Sequence, residues 1–259
     1  MSAAPDGGVA FVGGHLALGL ADRAAPGERV LLIDLARPVG ASLVCFNVNQ
    51  TYTLLGALHD VYRCDQTLID TAFSRHESGL YVLSLSEETL GFPSLDQQSL
   101  IALLETLRLH FGAIVFAVDA HMAVPTLSAV ITQSTRSLLV TDQSILRSRQ
   151  NKTLLQGLRV EACALDRMGL IIENYRSRLG LTADNLAELL DVQVYATLGG
   201  QPAQRIQAMN AGESLFSLAP RDAYARGVLD LTDRLERSGE AGDLLAAAGS
   251  SWASRLFAG

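Results

Sequence analysis

The chain has 259 residues, 49% of them apolar and only 18% charged, so it can bury the core of one large α/β domain or two small ones, and a disordered chain is excluded. A net charge of −7 and a pI near 5.2 give it no general attraction for nucleic acid or anionic lipid. Cys45, Cys64 and Cys163 lack metal-ligand spacing and read as small buried hydrophobes in a reducing compartment. No signal peptide opens the sequence, and its longest strongly apolar run, 113–118, is too short to span a bilayer. A cytoplasmic protein is expected, touching a membrane only from the side.

Apolar runs recur along the chain, separated by stretches of helical periodicity. Val9–Val12 is the first expected strand, followed by a helix over Gly14–Ala24. Arg29–Asp34, Leu80–Leu85, Ala113–Val118, Ser137–Val140, Met168–Ile172 and Val192–Leu198 are the other strands. They are apolar throughout, without alternation, as strands covered on both faces are. Helices are expected over Ser94–His110 with Ser94 as N-cap, Ser144–Leu158, Thr182–Leu190 with Thr182 capping, Pro202–Asn210 and Ala223–Arg237. This alternation predicts a three-layer α/β fold: a mostly parallel twisted sheet of about seven or eight strands with helices on both faces. The domain is expected to span 1–237, with a tail or amphipathic helix over 238–259.

Ligands of such sheets bind at the carboxyl ends of the strands. Three ends carry suggestive residues: Gly13-Gly14-His15, Asp34 through Gly40, and Asp119-Ala-His121. A strand–glycine–helix join followed by two strands ending in Asp is the layout of a P-loop nucleotide site. The chemistry for it is missing. Gly13-Gly14 is too short to wrap a triphosphate, and no Lys or Ser/Thr follows it. A second registration, with Gly7-Gly8-Val9 as the loop remnant, offers no lysine either and leaves no strand ahead of the loop. Lys152 is the only lysine among 20 basic residues. Losing that charge typically costs ~10²–10³ in rate. Asp34 and Asp119 are therefore expected to accept hydrogen bonds from loop N–H groups. His121 reads as a structural histidine, and the basic run Arg147, Arg149, Lys152, Arg159 as a solvated helix face.

Six segments resemble the TadZ/CpaE group of Tad (Flp-type) pilus assembly proteins, within the deviant-Walker ParA/MinD ATPases. They are Arg29–Gly40, Leu68–Leu83 with its His76-Glu-Ser-Gly, Phe111–Asp119, Ser137–Leu155, Val192–Leu198 and Met209–Arg226 with its Asn210-Ala-Gly. The resemblance implies a P-loop NTPase-like fold of ParA/MinD type. It also makes Gly13, Gly14, Asp34 and Asp119 the positions of a vestigial nucleotide site. The family's second acidic-loop Asp is replaced by Ala36, and its Asn-Arg pair by Glu173-Asn174. A family member so altered is expected to be a pseudo-ATPase with no catalytic residue, no metal and no cofactor, ATP binding not being expected. The implied function is a non-catalytic scaffold and localisation factor for Tad pilus assembly; the alternative is a switch that binds ATP and dimerises with little or no hydrolysis. The implied partners are a second copy of the chain and other Tad proteins: the secretion ATPase, the inner-membrane platform and a separate receiver-like protein. The implied location is the cytoplasm, peripheral to the inner membrane or the cell pole. In the tail, Trp252, Leu256 and Phe257 fall near one helical stripe. That stripe suits self-packing, a partner or a membrane surface.

Overall fold

The computed structural model describes residues 1–4, 8–86 and 93–237. Six of the seven expected apolar runs are strands: β1 (Val30–Leu35), β3 (Tyr81–Ser84), β4 (Ala113–Val118), β5 (Ser137–Thr141), β6 (Met168–Glu173) and β7 (Val194–Leu198). A two-residue strand, β2 (Ser74–Arg75), runs antiparallel to β3, and the His76-Glu-Ser-Gly segment makes the turn between them. Every other pairing is parallel. The ladders form two groups, β2-β3-β1-β4 and β5-β6-β7. Met1 and Ser2 join them. Met1 N donates to Leu138 O (2.7 Å), Met1 O accepts from Val140 N (2.7 Å), and Ser2 N donates to Val118 O (3.3 Å). The expected sheet of seven or eight strands is thus seven strands and a two-residue splice.

Alternation along β1 assigns the two faces. Leu31, Ile33 and Leu35 join one core, and Val30 and Leu32 the other. The first core is covered by α3 (Leu54–His59), α4 (Gln66–Ala72), α5 (Gln97–Leu107), α6 (Val124–Gln133), α7 (Ile145–Val160) and α8 (Ala183–Leu190). The second is covered by α1 (Gly8–Arg23), α2 (Ala41–Cys45), α9 (Pro202–Ala211), α10 (Leu215–Leu218) and a helix over 223–237, here α11. Thr182 caps α8 in a reciprocal capping box with Asn185. α5 is capped by Asp96, which accepts from Ser99 N (2.8 Å), rather than by Ser94. All three cysteines are buried and free. Among the described residues no helix is long and apolar enough to cross a membrane.

Val9–Val12 corrects the sequence reading: it is the start of helix α1, not a strand. A short apolar run cannot be told from a buried helix by periodicity; length decides. Here burial continues without a break from Gly8 to Gly19, too long for a strand. Gly13 and Gly14 therefore lie in mid-helix, where glycine costs about 1 kcal/mol against alanine. Their reason is close packing. A Cβ on Gly14 would stand 2.3 Å from the Phe46 ring, and one on Gly13 would stand 3.1 Å from Ala117 Cβ. The adjoining His15 is fully buried. Its Nδ1 meets Phe11 O (2.9 Å) and its Nε2 accepts Leu215 N (2.9 Å). That pattern fixes a neutral ring, and burial lowers its pKa to about 4.

Candidate functional site

β1 and β4 end side by side, with Asp34 paired to Ala117 in the ladder and Asp119 one residue past β4. Both carboxylates are 1% exposed, and both are taken up by their own loops. Asp34 Oδ1 accepts Ala36 N (3.0 Å), and its Oδ2 accepts Ser42 N (3.0 Å). Asp119 Oδ2 accepts Arg37 N (2.9 Å) and faces Arg37 Nε at 3.4 Å. Asp119 Oδ1 accepts His121 N (3.0 Å) and meets His121 Nδ1 at 2.6 Å. Burial pushes both pKa values up, and these donors oppose it. His121 thus acts as a clamp on Asp119, and Arg37 lies across the carboxylate.

Gly13 and Gly14, expected in the glycine loop, stand one to two turns down α1 and away from these carboxylates' loops. The connection that leads into α1 runs from Ala3 to Gly8 and contains the start of the other registration, Gly7-Gly8-Val9; its residues 5–7 lie outside the described residues, and Gly8 and Val9 open the helix. Its first N–H groups have partners. Ala3 N donates to Asn151 Oδ1 (2.8 Å) and Ala4 N to Ser2 Oγ (3.1 Å), while Asn151 Nδ2 donates to Val140 O (3.1 Å). Lys152 is exposed on α7. Trp252, Leu256 and Phe257, and the boundary at 238, fall outside the described residues.

Sequence reasoning missed a second polar cluster. Glu173 ends β6, with its carboxylate 3% exposed, and receives two arginines: Arg147 Nη1 at 2.9 Å and Arg205 Nη2 at 3.2 Å. Arg205 also lies over the Phe11 and Tyr224 rings, 4.6 and 4.7 Å from their centroids. Arg147 is buried, so the basic run on α7 is not a uniformly solvated face; its first member belongs to the core. Glu173 itself was visible as a departure from the family pattern. Nothing in the spacing signalled Arg205, which arrives from α9.

No family model matches the chain, and no curated protein does. Solved structures do. The architecture is that of the ParA/MinD class of P-loop ATPases. A ParA family ATPase from Chlorobium tepidum superposes with a TM-score of 0.75 at 16% identity, over 87% of this chain and 92% of that one. The MinD cell division protein of Aquifex aeolicus gives 0.71 at 15% identity, over 91% and 94%. The septum site-determining protein MinD of Pyrococcus horikoshii, solved with Mg-ADP, gives 0.66 at 19% identity, over 91% and 93%. At these identities the likeness shows the fold alone.

Proposed function

We propose that this protein is a non-catalytic scaffold for Tad pilus assembly at the cytoplasmic face of the inner membrane, a ParA/MinD-type fold whose nucleotide site has been turned into structure. The Tad assignment rests on the sequence resemblance. The carrying observation for the pseudo-ATPase reading is Arg37 held on Asp119 by its backbone N–H and its guanidinium. In a P-loop ATPase an Asp at this position serves Mg²⁺; here its oxygens are already bonded to Arg37 and His121. The residues present do not fit Mg-ATP. The sequence supplies no lysine near the loop, Ala36 replaces the second acidic residue, and the Ala3 and Ala4 N–H groups are bonded elsewhere.

The same edge suits a permanent homodimer. Val44, Ile145, Leu146, Leu179 and Ile206 are all more than half exposed and sit on segments that leave strands β1, β5, β6 and β7 at their carboxyl ends. Exposed apolar side chains on successive segments at one end of a sheet support an interaction surface there. Calorimetric titration with Mg-ATP and Mg-ADP tests the reading: no heat at millimolar nucleotide is expected, and saturable binding overturns it. Sedimentation at micromolar concentration is expected to give a dimer without nucleotide; a strict monomer sinks the dimer. One observation favours the alternative of a nucleotide-binding switch. Ser42, buried beside Asp34, sets its hydroxyl against that carboxylate at the carboxyl end of β1, where ligands of parallel sheets bind. The same titration separates the two readings.

A further inference from the structure

The amino end of the sheet, at its middle, holds a different feature. Between β4 and β5 lies a cavity of about 830 Å³. α1 walls it with Val12 and Leu16, α6 with Leu127 and Ile131, and the strands with Phe116 and Leu138. At one end it is one strand wide. Met1 and Ser2 bond to β5 on one side and β4 on the other, so the two edges stand one strand apart where those residues lie. Burial records a change below them: β1 and β6 are buried at every residue, whereas Ala113–Phe116 of β4 and Ser137–Leu138 of β5 are only half buried. Ser2 pairs with Asp119 in parallel, and Ser2 N reaches Val118 O. Alternation then directs the N–H and C=O of Phe116 and Ile114 into the same gap. Among the described residues no strand but β1 pairs with β4. A row of amides with no strand partner among the described residues, bordering an apolar cavity, costs free energy that a strand would recover.

We propose that this slot receives an apolar strand of about five residues that enters Met1 from upstream in the same polypeptide and runs parallel to β4 and β5. The register sets the length. With Ser2 opposite Asp119, Met1 stands opposite Val118, and about five residues at ~3.3 Å each reach back to Ala113. Both walls are apolar, so the strand is apolar throughout, without alternation. Direct joining to Met1 fixes direction and register and requires no loop to be closed. The competing occupant is the chain's own 238–259, because Leu235 and Glu236 of α11 border the cavity. Its Gly- and Ala-rich sequence is a poorer strand former. The inference does not depend on the nucleotide site.

The test compares the 259-residue chain with two fusions: five Ile/Val residues ahead of Met1, and the same five interrupted by two prolines, which cannot complete the ladder. The Ile/Val form is expected to slow amide exchange at Ile114 and Phe116 at least tenfold and to raise the melting temperature by several degrees; the Pro form is expected to do neither. Equal exchange in both fusions overturns the proposal. So does faster exchange at those amides after deletion of 238–259, which would place the tail in the slot. Intact mass of the protein from its own cells is expected to exceed 27.7 kDa by at least five residues; a mass equal to it overturns the assignment to the same polypeptide.

Discussion

The two ends of the central sheet solve opposite problems. At the carboxyl end, charged groups crowd together and nearly all are partnered: Asp34 and Asp119 by loop N–H groups, Arg37 and His121, and Glu173 by two arginines. At the amino end, between β4 and β5, apolar side chains and ladder amides border a cavity instead of a neighbour. A fold tolerates the loss of a ligand's chemistry when side chains of its own can replace the ligand's charges. It tolerates an incomplete ladder much less well, since nothing on a side chain replaces a row of backbone amides.

The largest expected effect falls on the polar end. Glu173→Ala takes from Arg147 and Arg205 their shared buried carboxylate, leaving Asp142 and Asn174 as partners, and should cost about 3 kcal/mol in denaturant unfolding, whereas Glu173→Gln, which keeps the acceptor oxygen, should cost clearly less. If the alanine variant is nearly neutral, the cluster is decoration and the contrast between the two ends fails. Acid tests a satisfied polar contact in the core beneath. Unfolded His15 takes up its proton below about 6.5, but the folded ring does so only near 4. The unfolded state therefore binds more protons between these values, and stability should fall as pH drops from 6.5 to 4. The His15 contribution to that fall is on the order of 3 kcal/mol, measurable as a difference from His15→Gln across the same range. Gly14→Ala should follow at about 1–3 kcal/mol, because the new methyl meets the Phe46 ring; a stabilised variant would mean that α1 can shift. Arg37→Ala should cost about 1 kcal/mol or less, as the Arg37 side chain is 37% exposed. Its decisive readout is calorimetric: the variant should still give no heat with Mg-ATP. The finest comparison uses one chemistry at both ends. Ile33→Val, in a fully buried strand, should cost about 0.5–1.5 kcal/mol, and Ile114→Val, beside the half-covered slot, only a few tenths.

The sequence made much of the sheet legible, because both-face burial writes itself as unbroken runs such as Leu31–Ile33 and Leu170–Ile172. The carboxylates Asp34 and Asp119 were found for the same reason: each closes such a run. The error at Val9–Val12 came from that rule too, since α1 is apolar on all sides and its first turn imitates a strand. The short helices α2, α3 and α4 carry five to seven residues each, too few for a period to show. Arg205 could not be foreseen, because its partners Glu173, Phe11 and Tyr224 are brought together only by the fold. The slot was hidden for a further reason: a cavity between two strands is a property of their spacing, and no residue announces it.

The hydrogen bond from Leu215 N to His15 Nε2 joins residues 200 positions apart. On a ribosome adding about 5–20 residues per second, the imidazole waits roughly 10–40 s for its partner to be made. Through that interval the apolar face of α1 has none of its cover from α9, α10 and α11. The nascent chain therefore offers a chaperone α1 early and withdraws it only once residue 215 and the helices around it have been made.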